Sequence, residues 1–187
     1  MLNYHSSIKE QKSYSGLVIK EISPLMKLNL RGKGREFLST IGKNINMILP
    51  IEANTSSTSD SYTSMWLSPD EWMLVSNNIT DKENNNYQIE EILFNKISKT
   101  NLGAITDVSD QFVMINLTGE KIFDLLSAGC PFNFNQFKDK KITVVQTLLL
   151  QIDVIIHLTE INTVNLFVRR SFSEHLMSWI DDTASRL

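Results

Sequence analysis

The sequence predicts an α+β fold, a single domain of two pseudo-repeated β-α-β-β-α units with mainly antiparallel sheets. Three observations carry this prediction. Short alternating or β-rich apolar runs are separated by polar turns, and amphipathic stripes at helical spacing fall between them. In addition, Asn29-Leu30-x-Gly32, Leu38 and Gly42 recur as Asn116-Leu117-x-Gly119, Leu125 and Gly129 at one constant offset. Each copy reads as strand, glycine turn, short helix and glycine stop. Half a chain of this size buries too little surface to fold alone, so both copies are expected in one domain. The expected layout is a tail with a possible first strand over 1–24, then a domain over 25–187 with half-units at about 25–100 and 104–187.

Taken in order, Met26, Leu28 and Leu30 alternate with Lys27, Asn29 and Arg31, the period of a half-buried strand whose polar set faces outward. Phe37, Leu38 and Ile41 form a helical stripe that should stop at Gly42. The segment Glu52 to Ser61 has little to bury and reads as a loop. Tyr62 to Leu67 and Trp72 to Val75 flank Ser68-Pro69-Asp70-Glu71 as a hairpin, with proline suited to the turn. Asn77 to Asn86 reads as a second polar loop. Ile89, Ile92, Leu93 and Ile97 then define an amphipathic helix.

Ala104 to Val108 and Gln111 to Leu117 are candidate strands, and Gly119 should open a helix carrying Ile122, Leu125 and Leu126. Thr143 to Gln151, Val154 to Leu158 and Thr163 to Val168 are β-rich runs. A last helix should bury Phe172, Leu176, Trp179 and Ile180.

Composition excludes several classes. The 187 residues are 42% hydrophobic with one cysteine, long enough to bury roughly 70% of the unfolded surface without disulfides or metals. A net charge of −3 gives no general attraction to nucleic acid or to an anionic membrane. The amino terminus lacks an apolar secretory core, which predicts a cytoplasmic protein. The most apolar stretch, Ile142 to Leu158, is interrupted by Gln146, Gln151, Asp153 and His157 and suits strands better than a bilayer span.

Candidate chemistry is sparse. Gly32-Lys33-Gly34 fails the dinucleotide fingerprint because the third glycine would fall at Phe37. Cys130 follows a helix and reads as a small buried or half-buried residue. Asp153 and His157 share a strand face but stand about 13 Å apart, too far for a hydrogen-bonded pair, and His157 is expected on the outer sheet face or at an interface. The acid pairs Asp70-Glu71, Glu90-Glu91 and Asp181-Asp182 have no histidines clustered with them. No catalytic, cofactor-binding or metal residue is therefore assigned.

Two features remain as possible interface or pocket residues. Arg169 and Arg170, at a strand–helix junction, could grip a carboxylate, a phosphate or a partner chain, or simply form surface ion pairs. Trp66 and Trp72 bracket the acidic turn at Asp70. Alternation puts both indoles on one face, either as a stacking platform or interface anchor, or as packing within a core hairpin.

At this hairpin the chain resembles the gamma subunit of heterotetrameric sarcosine oxidase. The motifs are Trp66-Leu67-Ser68-Pro69-Asp70-Glu71-Trp72-Met73-Leu74-Val75, Asp107-Val108-Ser109-Asp110, and Leu117-Thr118-Gly119 running to Gly129-Cys130-Pro131. Gln146-Thr147 and Arg170-Ser171-Phe172 with Trp179 complete the series. The resemblance implies a fold similar to the folate-binding domain of glycine-cleavage aminomethyltransferases. It also implies a non-catalytic accessory subunit in a complex that oxidatively demethylates sarcosine to glycine and passes the one-carbon unit to tetrahydrofolate. Its implied partners are the alpha subunit, in most direct contact, and the beta and delta subunits. FAD, FMN, NAD, tetrahydrofolate and zinc are implied on those other subunits, with none in this chain.

The chain departs from related patterns at several places. Ser68 replaces the family's usual glycine, and Phe132-Asn133-Phe134 stands where Leu-Asp-Leu is common. Folate-dependent aminomethyltransferases carry a Gly-Gly turn and paired aspartates near the region matching Gln151 to Ile155, where Asp153 stands alone. The iron–sulfur maturation factors carry K-G-C-Y-x-G-Q-E where residues 140–147 read KKITVVQT. A freestanding folate-binding or one-carbon transfer protein is the alternative reading.

Overall fold

The computed structural model describes residues 5, 6, 8, 11–78, 88–137 and 142–187. It divides into two compact units, residues 24–110 and residues 1–23 with 111–187. The chain opens with two short antiparallel strands, β1 (Lys12–Tyr14) and β2 (Leu17–Glu21), where the sequence suggests a tail with one possible strand. They belong to the second unit, because β2 pairs with a strand near residue 115.

In the unit spanning 24–110, strand β3 (Lys27–Gly32) leads into helix α1 (Gly34–Ile45). Strands β4 (Ser56–Thr58), β5 (Tyr62–Ser68) and β6 (Glu71–Ser76) follow. Helix α2 (Gln88–Leu93) continues into a π-helical turn, Phe94–Ser98, and β7 (Gly103–Asp107) closes the unit. The sheet runs β4-β5-β6-β3-β7 with antiparallel pairing throughout. Of the loop expected over Asn77 to Asn86, residues 79–86 lie outside the described residues.

One face of this sheet presents Leu28, Leu30, Trp72, Leu74 and Ile105 to a cluster completed by Phe37, Ile41 and Ile45 of α1 and by Ile89, Leu93 and Ile97. The helical members recur at i, i+4 and i+8, as an amphipathic face requires. Phe37 is fully buried, a contribution on the order of 2 kcal/mol. The helix does not end at Gly42. It runs one turn further to Asn46, whose φ of 51° provides the left-handed cap. Gly42 serves a different need, since a Cβ there would meet the Met47 carbonyl at 2.9 Å.

The other unit has β8 (Phe112–Thr118), α3 (Ile122–Ser127), a 3-10 turn at Phe134–Phe137, β9 (Val144–Leu149), β10 (Ile152–Glu160), β11 (Thr163–Arg169) and α4 (Arg170–Ala184). Its antiparallel sheet runs β1-β2-β8-β11-β10-β9. Ile115, Leu117, Val154, Ile156, Leu166 and Val168 face a cluster that includes Leu125, Leu126, Leu176 and Ile180. Phe132 and Phe134 join Phe123 and Phe137 in a ring cluster with centroids 5.2 to 6.2 Å apart.

The two sheets share one wiring. β8 corresponds to β3, β11 to β6, β10 to β5 and β9 to β4. The fifth strand arises differently. In one unit it is β7, after α2, and in the other it is β2, from the amino terminus. Because β7 pairs with β3 from Leu28↔Asp107 to Gly32↔Gly103, the division falls after Asp110 and not near residue 104.

Four local expectations need correction. Ser56–Thr58, within the expected loop, forms an edge strand against β5. Gly119 does not open a helix; with φ of 139° it turns the chain out of β8, and α3 begins at Ile122. Phe172 is 47% exposed because the buried stripe of α4 runs through Ser173, Leu176, Met177 and Ile180, about 100° round the helix. His157 alternates with Ile156 and so lies on the sheet face turned away from the cluster that Ile156 joins, but it is not solvated there: it is 4% exposed, opposite Val144 and Asn165.

Candidate functional site

The β5–β6 hairpin places Trp66 directly opposite Trp72, so both indoles share the face that meets α1. Trp72 is buried and packs on Phe37 with ring centroids 5.9 Å apart. Its Nε1–H donates to the Pro50 carbonyl at 2.7 Å. Trp66 is half-buried against the same cluster. The pair therefore packs as core, with Trp72 pinning the loop before β4.

The acidic turn is equally engaged. The Ser68 hydroxyl donates to Asp70 Oδ1 at 2.8 Å, and Lys33 Nζ lies 3.5 Å from Oδ2. The Ser68 hydrogen bond, with Lys33 behind it, lowers the Asp70 pKa below its ordinary value. The Gly32 N–H donates to the Asp70 carbonyl at 3.0 Å. Glu71 accepts from Asn29 Nδ2 at 2.7 Å and faces Arg31 at 3.7 Å. These contacts tie the turn to the β3–α1 junction. Ser68 supplies the hydroxyl that organises Asp70.

Arg169 is exposed at the end of β11. The Arg170 N–H donates to the Gln111 carbonyl at 2.8 Å, and its Nη1 donates to the His5 carbonyl at 3.1 Å. The structure thus gathers Trp66, Asp70 and Trp72 in one hairpin. Arg169 and Arg170 sit together at a junction of the other unit.

A buried polar centre that strand alternation assigns to solvent lies at the Asp107–Asp110 motif. Lys27 is 1% exposed, and its Nζ donates to the carbonyls of Leu25 and Ser109, each at 3.2 Å. The Lys27 N–H donates to Ser109 Oγ at 2.9 Å, while Asp107 Oδ1 accepts from the Ser109 N–H at 2.8 Å and from its hydroxyl at 2.5 Å. The motif is a hydrogen-bonded turn that carries β7 away from β3, with Lys27 locking it from beneath. The signal for this in the sequence is Asp107 two residues before Ser109, a spacing suited to local turn hydrogen bonds.

Other candidates are structural as well. Cys130 is buried with its Sγ 3.6 Å from Thr147 Oγ1. Asp181 accepts from Lys12 Nζ and, at 2.9 Å, from the Tyr14 hydroxyl, which fastens β1 to α4. Asp182 pairs with Arg186 at 2.6 Å. Burial lowers the His157 pKa to about 4, so the imidazole is neutral at ordinary pH. Among the described residues, no group of three His, Cys, Asp or Glu is placed to hold a metal ion. No described helix is long and apolar enough to cross a membrane.

The fold is similar to that of heterotetrameric sarcosine oxidase from Corynebacterium sp. U-96, solved in complex with pyrrole 2-carboxylate. That match has a TM-score of 0.80 and 20% identity, and covers 94% of this chain and 87% of the matched one. It is also similar to aminomethyltransferase T of the glycine cleavage system from Bartonella henselae, with a TM-score of 0.60 and 13% identity. Here 91% of this chain is covered and 49% of the other. Among curated proteins no sequence matches. Residues 33–186 match the family described as sarcosine oxidase, gamma subunit. The stretch includes the tryptophan hairpin, the Asp107–Asp110 turn and α4, and this chain belongs to the sarcosine oxidase gamma subunit family.

Proposed function

We propose that the chain is a non-catalytic accessory subunit of a heterotetrameric, cytoplasmic sarcosine oxidase complex. Its partners are the alpha subunit, in direct contact, and the beta and delta subunits. The complex oxidatively demethylates sarcosine to glycine and hands the one-carbon unit to tetrahydrofolate, with FAD, FMN, NAD, tetrahydrofolate and zinc held by the other subunits. The family match over residues 33–186 carries this reading. The use of the motif's polar groups supports it: Trp72 Nε1 holds the hairpin to Pro50, the Glu71 carboxylate holds it to Asn29 of β3, and the Asp70 carboxylate is engaged by Ser68 and Lys33. A role in assembly needs such a rigid body.

The test is co-expression with the other oxidase subunits followed by size exclusion. The chain should elute with them, and sarcosine oxidation should depend on the assembled complex. An active enzyme assembled without this chain would refute the reading. Calorimetry of the isolated chain with tetrahydrofolate should show no tight binding.

A further inference from the structure

On α1, Arg35, Leu38 and Lys43, at i, i+3 and i+8, lie outside the buried row Phe37, Ile41 and Ile45, with Leu38 half-buried at the edge of the same cluster. The segment after the helix folds back beside these residues. The left-handed Asn46 turns it, and the Met47 N–H donates to the Gly42 carbonyl at 3.1 Å. Between helix and segment runs a groove of about 840 Å³, with Leu38, Met47, Ile48 and Ile51 in its apolar lining.

Two properties set this groove apart. Ile48 is 84% exposed and Ile51 75% exposed, large β-branched side chains that water solvates poorly. They are not on a fraying strand, because Pro50 between them is buried and its carbonyl receives the Trp72 indole hydrogen bond at 2.7 Å. The fold therefore holds both isoleucines outward. The charged residues lining the groove, Arg35 and Lys43, are both cationic in a chain whose net charge is −3.

We propose that this groove is the docking surface for a neighbouring subunit of the oxidase, which enters it with an apolar segment edged by carboxylates. Desolvating the isoleucines supplies the attraction, and Arg35 and Lys43 set orientation and partner choice, as charges at the rim of an interface do. The inference rests on the assembly role proposed above and adds the surface that performs it.

The test is titration of the purified full chain into the complex of the other three subunits, followed by light scattering, for the wild type, Ile51→Asp and Lys43→Glu. Ile51→Asp should weaken assembly at least tenfold. Lys43→Glu should weaken it several-fold and largely abolish its salt dependence, since Arg35 and the new carboxylate cancel, with thermal melts matching the wild type. Failure of the wild-type chain to assemble overturns both readings. Equal assembly of the wild type and Ile51→Asp overturns the groove alone. If the isolated chain forms a dimer that Ile51→Asp dissolves while subunit assembly is unaffected, the occupant is a second copy and the proposal fails.

Discussion

The indole N–H of Trp72 reaches the Pro50 carbonyl at 2.7 Å while its ring lies on Phe37, so one side chain fixes a strand, a helix and a loop. Trp72→Phe keeps most of the ring but leaves a buried carbonyl without its donor, which costs about 1 to 3 kcal/mol. Trp72→Ala also opens a cavity, for a total of about 3 to 5 kcal/mol. Urea denaturation of both variants should show this order. Equal stability of Trp72→Phe and the wild type would mean that the hydrogen bond is not maintained in solution.

At Gly119 the backbone passes close against Gly16. Gly119 has φ of 139°, and a Cβ there would lie 2.1 Å from the Gly16 carbonyl oxygen. In the first unit the close approach falls on the other strand: Gly103 pairs with Gly32, and a Cβ on Gly103 would lie 2.3 Å from the Arg31 carbonyl oxygen. Because backbone atoms cannot give way cheaply, Gly119→Ala and Gly103→Ala should each lose about 2 kcal/mol or more. A thermal melt unchanged in either variant would contradict the packing described.

These glycine pairs show how much of the fold was legible in the sequence. The Gly32 and Gly119 copies stand out because a glycine turn leaves a local signature. Gly103 does not, because what makes it necessary is the Arg31 carbonyl of β3, a strand from another part of the chain. The same logic hides β2, whose place in the second sheet depends on pairing with β8. At the candidate site, the shared face of Trp66 and Trp72 follows from alternation. The burial of Lys27 does not, because a lysine opposite an apolar face reads as solvated until a turn supplies carbonyls for its ammonium. Ile48 and Ile51 bracket a proline, and nothing local says that Trp72 will hold that proline inward.

Lys27 gives a direct test of that hidden polar centre. Lys27→Met preserves the length of the stem but removes the ammonium that donates to the Leu25 and Ser109 carbonyls. Two buried acceptors lose a donor, and stability should fall by about 1 to 3 kcal/mol. Amide hydrogen exchange should report faster opening of residues 107–110, which the ammonium holds against β3. A stabilised Lys27→Met variant would show that desolvating the ammonium outweighs its hydrogen bonds.

His157 ties stability to pH. Burial lowers its folded pKa to about 4 from an ordinary 6.5, so between these values the unfolded state binds the proton and the folded state does not. The contribution of the neutral imidazole is fully present above the unfolded value and is lost as pH falls through the window toward 4. Linkage puts the loss between pH 7 and pH 5 at about 2 kcal/mol. His157→Gln removes the titrating ring while keeping a polar side chain on β10. Urea midpoints at pH 7 and pH 5 should therefore diverge more for the wild type than for His157→Gln, with other titrating groups cancelling in the comparison. Parallel losses in the two proteins would mean that His157 keeps its ordinary pKa in the folded state and that β10 opens enough to admit its proton.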